Sequence, residues 1–71
     1  MELMEQKKIE TLTVKEAVDE LRMLGMNISV DRMKAGLNQG VFPFGICIKM
    51  KNFEFEIYRV PFEKWIAERV S

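Results

Sequence analysis

Apolar residues recur three and four apart over residues 12–25 and again over 30–37. They alternate in two runs, Ile46 to Lys51 and Phe53 to Tyr58, then return to helical spacing after Pro61. In the first stretch Val14, Ala17, Val18, Leu21 and Leu24 share one face, opposite Lys15, Glu16, Asp19, Glu20 and Arg22, which read as ordinary solvation. This predicts a helix from Leu12 to Gly25. Thr13 and Glu16 have the spacing of a capping box, Leu12 and Ala17 that of a hydrophobic staple, and Gly25 marks the stop. Met23 falls off the stripe and is expected at the surface.

In the second stretch Ser29 can accept a hydrogen bond from the first-turn amides as an N-cap. Val30, Met33 and Leu37 then form the apolar face, and Gly40 stands where the chain leaves the helix with positive φ. The other face carries Asp31, Arg32, Ala35, Asn38 and Gln39, with Lys34 on its flank. Gly36, inside this helix, is expected to cost roughly 1 kcal/mol relative to alanine. Only Met26, Asn27 and Ile28 separate the two helices, which forces them together at a steep angle, the geometry of a helix-turn-helix. Ile28 is expected to plug the corner.

An apolar loop broken by Pro43 leads to the alternating region. Ile46, Ile48 and Met50 alternate with Cys47, Lys49 and Lys51, and Phe53, Phe55 and Ile57 with Glu54, Glu56 and Tyr58. With a turn at Lys51-Asn52, where asparagine tolerates positive φ, this predicts a two-stranded hairpin. Its buried face would be Ile46, Ile48, Met50, Phe53, Phe55 and Ile57, and its outer face would pair lysines with glutamates. Cys47 reads as a packing residue. Pro61 suits the first position of a closing helix, on which Phe62, Trp65, Ile66 and Val70 share a face and Trp65 is a core anchor.

Composition narrows the function classes. The 71 residues allow one small domain, expected over 12–71, with residues 1–11 as a frayed arm or an extra turn that orders only against a partner. No apolar run suits a membrane span or a secretory signal, and the single cysteine fits a reduced cytoplasm. There is no histidine, and the two serines are the cap Ser29 and the terminal Ser71. No enzyme, metal site or cofactor is therefore expected. The net charge is zero and the pI near 6.3. Within residues 29–52, however, Arg32, Lys34, Lys49 and Lys51 face only Asp31, so the positive excess is local.

The order of elements, with four short motifs, resembles the excisionase-type winged helix-turn-helix proteins of phages and conjugative elements. The motifs are Leu12-Thr13-Val14-Lys15-Glu16-Ala17, Ile28-Ser29, Gly40-Val41-Phe42-Pro43, and Tyr58-Arg59-Val60-Pro61 leading to Trp65-Ile66. They span residues 12–66. The chain departs from the family at Gly36, in a longer first helix, in a closing helix about one turn short, and in Glu54 and Glu56 on the wing.

The resemblance implies an α+β fold: a small winged helix-turn-helix with two N-terminal helices, a two-stranded β-hairpin wing and a C-terminal helix. It implies double-stranded DNA as partner, with the helix from Ser29 to Gln39 in the major groove. Arg32 would offer a fork to guanine and Asn38 would read adenine, with Ser29 and Ala35 on the same face. Lys34 and Lys15 would hold phosphates, and the wing tip Lys49, Lys51 and Asn52 would reach the adjacent backbone or minor groove. Copies would bind side by side, bend the DNA and direct an integrase towards excision, though some relatives regulate transcription. The alternative is a winged helix used for protein contact, an antirepressor or inhibitor, which the zero net charge and wing glutamates favour.

Overall fold

The computed structural model describes residues 8–70. They form three helices and a three-stranded antiparallel sheet, an α+β fold. In chain order the elements are β1 (Thr11–Leu12), α1 (Val14–Met23), α2 (Val30–Gln39), β2 (Gly45–Lys49), β3 (Phe53–Tyr58) and α3 (Arg59–Ala67), and the strand order is β1-β3-β2.

Both N-terminal helices start and stop where local chemistry dictates. The Thr13 hydroxyl accepts from the Glu16 amide at 3.1 Å while the Thr13 amide donates to the Glu16 carboxylate at 2.9 Å. The Ser29 hydroxyl accepts from the Arg32 amide at 3.1 Å. Each helix ends on a left-handed glycine, Gly25 (φ 96°) and Gly40 (φ 75°). The amides of Met26 and Val41 then reach back to the carbonyls of Leu21 and Gly36, five residues earlier. Between the helices Ile28 is fully buried and its carbonyl accepts the Arg22 Nε–H at 2.7 Å. Arg22 therefore pins the turn rather than merely solvating α1.

The core gathers Leu12, Ala17, Val18, Leu21, Ile28, Met33, Leu37, Phe44, Ile57 and Phe62. Phe44, a loop residue by its sequence, lies at its centre. Its ring stacks on Phe42 and meets Phe62 and Trp65 edge-on at about 5 Å. Trp65 anchors the core as expected, half-buried, with the Arg69 guanidinium 4.1 Å from its ring centroid. On the helices, three residues placed on buried faces by their spacing are instead exposed: Leu24 and Val70 lie beyond their helices, and Val30 stands at the open start of α2. Met23 is exposed, as its position off the stripe implies.

The sheet departs most from expectation. Leu12 does not begin a helix; with Thr11 it pairs antiparallel to Ile57 and Tyr58, adding a strand to the hairpin. Thr11, placed in the arm by its sequence, thus belongs to the sheet; residues 1–7 of that arm lie outside the described residues. The hairpin register is also shifted by one. Lys49 lies opposite Phe53, so the loop is the three residues Met50, Lys51 and Asn52, not a two-residue turn. Asn52 does not adopt positive φ. Because side chains alternate with period two, a one-residue shift moves a whole strand to the other face. Gly45, Cys47 and Lys49 share the inner face with Ile57, Phe55 and Phe53. Ile46 and Ile48 lie on the outer face opposite Glu56 and Glu54, so the anticipated lysine–glutamate pairs do not form. Glycine at position 45 permits the close approach of β2, since a Cβ there would lie 2.5 Å from the Glu56 carbonyl oxygen and 2.8 Å from a Leu37 methyl.

The closing helix starts at Arg59, two residues before Pro61, and its first amide is satisfied from elsewhere in the chain. The Arg59 amide donates to the Glu10 carbonyl at 2.9 Å, and Pro61 in the first turn has no amide to satisfy. The Arg59 guanidinium reaches Glu63 at 3.0 Å, Glu20 at 3.4 Å and Glu10 at 3.6 Å, tying α3 to α1 and to the residue before β1. The hydrogen bond to Glu63 holds its pKa above the ordinary arginine value against the opposing effect of desolvation, and the nearby Glu20 charge adds to the rise.

Candidate nucleic-acid interface

The exposed surface of α2 follows from its buried one. Met33, Gly36 and Leu37 face the core, which turns Asp31, Ala35, Asn38 and Gln39 outward. At 100° per residue, Arg32 and Lys34 fall on opposite flanks of this face, roughly 160° apart. Lys34 leans towards the hairpin, its ammonium 5.7 Å from the Phe55 ring centroid. Arg32 is exposed on the far flank and makes no ion pair among the described residues.

Between α2 and the inner face of the hairpin lies an open cleft of about 420 Å³, lined by Lys34, Ala35, Asn38, Phe53 and Phe55. Lys49 is paired with Phe53 and shares that inner face. Phe53 is half-exposed at 53%. None of the five lining residues is acidic, so the cleft is cationic and aromatic although the chain is neutral overall.

Of the nine residues singled out by sequence, the structure brings Lys34, Ala35 and Asn38 together at the cleft and sets Lys49 on the same side. Lys51 and Asn52 are exposed in the hairpin loop, the Asn52 carbonyl accepting from the Met50 amide at 3.3 Å. The other three differ. The Ser29 hydroxyl is engaged in capping. Lys15 is ion-paired along its own helix with Asp19 at 3.3 Å, its charge already partly answered. Arg32 is accessible but separated from the cleft by the width of the helix. Phe53 and Phe55 line the cleft, although their alternation places them on a continuous buried face with Ile46 and Ile48. The sequence signal that separates them is the absence of Asn-Gly or Asp-Gly at the turn, which leaves a two-residue loop unspecified.

Comparisons with family models, curated proteins and solved structures find no match to this chain. Among the described residues no helix is long and apolar enough to cross a membrane.

Proposed function

We propose that the chain is a non-catalytic, cytoplasmic winged helix-turn-helix protein that binds double-stranded DNA, with α2 in the major groove and the hairpin on the adjacent backbone. The observation that carries this reading is the outward face of α2. No described part of the chain covers it, and it borders a cleft whose one charged lining residue is Lys34, with Lys49 on the same side. Exposed Asn38 and Arg32 supply the donor and acceptor patterns that read adenine and guanine edges. Lys34, Lys49 and Lys51 contribute contacts to phosphate, which fix orientation without reading sequence.

With so few cations the affinity of one copy is modest and falls steeply with salt. An excisionase role, in which adjacent copies bend DNA and assist an integrase, follows from the motif order described above; transcriptional regulation is the other use of the same chemistry. Fluorescence anisotropy with labelled mixed-sequence duplexes tests the binding itself. Micromolar binding that weakens as salt rises is expected, and Arg32→Ala with Lys34→Ala should abolish it while the circular dichroism spectrum stays unchanged. Absence of binding at low salt, or a double variant with unaltered affinity, overturns the assignment.

A second reading, contact with another protein, is favoured by a different observation. The outer face of the hairpin exposes Ile46, Ile48 and Met50 beside Glu54 and Glu56. A polyanion would be repelled there, whereas a protein surface would not.

A further inference from the structure

β2 is an edge strand: β3 lies on one side of it, and no strand among the described residues lies on the other. Which of its backbone groups are unpaired follows from one bond. The Tyr58 amide donates to the Phe44 carbonyl at 2.9 Å, and continuing the register places these two residues opposite each other. Bonded pairs alternate along an antiparallel ladder, so they recur at Ile46–Glu56 and Ile48–Glu54. The amides and carbonyls of Gly45, Cys47 and Lys49 therefore point to the open edge.

That edge has few of the devices that keep strands apart. It has no proline, and Lys49 is its one charge. Its outer face carries Ile46 at 44% exposure, Ile48 at 37% and, just past the strand, Met50 at 62%.

We propose that two copies of this chain associate through β2, antiparallel and edge to edge, about a twofold axis at Ile48. In this register the open-edge groups of Cys47 and Lys49 meet those of Lys49 and Cys47 in the second copy. On the outer face Ile48 meets its counterpart, and Ile46 and Met50 meet Met50 and Ile46. All three exposed apolar side chains thereby gain apolar neighbours in a non-bonded register, where opposed Cα atoms are closest. No like charges are opposed, since Lys49 faces Cys47. Glu54 and Glu56 become a charged rim on either side of the apolar strip, the usual arrangement of an interface and one that excludes DNA or an anionic membrane as occupant.

A five-residue strand is only about 17 Å long and buries well under the ~800 Å² per partner of a stable complex. The association is accordingly weak and concentration-dependent. It does not rest on the DNA-binding reading.

Sedimentation velocity across about 10 μM to 1 mM is the test, run on the full chain without DNA. The weight-average mass should rise towards twofold at the top of the range. Ile48→Lys, which sets two ammonium groups against each other on the axis, should remain at the monomer mass with an unchanged thermal melt. A second variant, Cys47→Ala with Ile48→Cys, should oxidise to a covalent dimer, and faster than the wild-type Cys47 does, because Cys47 points to the inner face. The proposal fails if the wild type is monomeric throughout, or if Ile48→Lys associates equally well. Crosslinking of the double variant at no more than the wild-type rate also overturns the proposed axis.

Discussion

Replacing Gly36 by alanine separates what a helix prefers from what this fold requires. In an unpacked helix the change is favourable by about 1 kcal/mol, because glycine loses more backbone entropy. Here a Cβ would lie 2.3 and 2.4 Å from two carbons of the Phe42 ring and 3.1 Å from a third. Ordinary carbon contacts begin near 3.5 Å, so the ring must retreat by about 1 Å. It is not free to do so: it stacks on Phe44 at 5.2 Å and meets Trp65 edge-on at 6.0 Å. Overpacking of this kind costs roughly 1–3 kcal/mol. Set against the helical gain, Gly36→Ala should destabilise by about 1 kcal/mol, which lowers Tm by roughly 4–8 °C in a domain this small. Urea titration read by the fluorescence of Trp65, the single tryptophan, measures this beside the rings concerned. Because the net value is a small difference, the decisive quantity is the coupling. In a Phe42→Ala background the same substitution should stabilise by about 1 kcal/mol, a reversal of sign. If Gly36→Ala stabilises both backgrounds equally, the ring is not what demands glycine, and the steric explanation is refuted.

Three further outcomes follow from neighbouring geometry. Gly45→Ala should cost more than Gly36→Ala, about 2 kcal/mol or above in the same titration, since its Cβ would meet a backbone carbonyl that has no rotamer to adopt. Arg22→Met should lose about 1–2 kcal/mol through the missing donor to the Ile28 carbonyl, with earlier hydrogen exchange in the α1–α2 turn than in α1 itself. The single tyrosine should ionise above its ordinary value of 10.0, chiefly because its hydroxyl donates to Glu56 at 2.7 Å. A raised folded pKa stabilises below the unfolded value and is lost as pH climbs through the folded one. Glu56→Gln should move the tyrosinate absorbance transition down, and an unmoved transition would refute the contact.

The helices were legible in the sequence because their determinants are local. Thr13 with Glu16, Ser29, Gly25 and Gly40 act within one turn of themselves, and the capping and closing bonds form where those residues predict. Ile28 as the corner plug and Trp65 as an anchor were legible too, from apolar character beside a clear boundary. The hairpin was not: a loop of two or three residues changes little in the pattern of alternation yet inverts the face of an entire strand. The chain's apolar content tolerates either register, since Cys47 and Gly45 pack inward while Ile46 and Ile48 remain outside. Tertiary contact made the choice. Gly45 is the residue that lets β2 approach Leu37 and Glu56, and Phe55 and Ile57 are the side chains that face α2 and the core. The cleft at Lys34, Asn38 and Phe53 and the open apolar edge of β2 both follow from that choice, because a strand's faces are assigned by what it packs against rather than by its own order of residues.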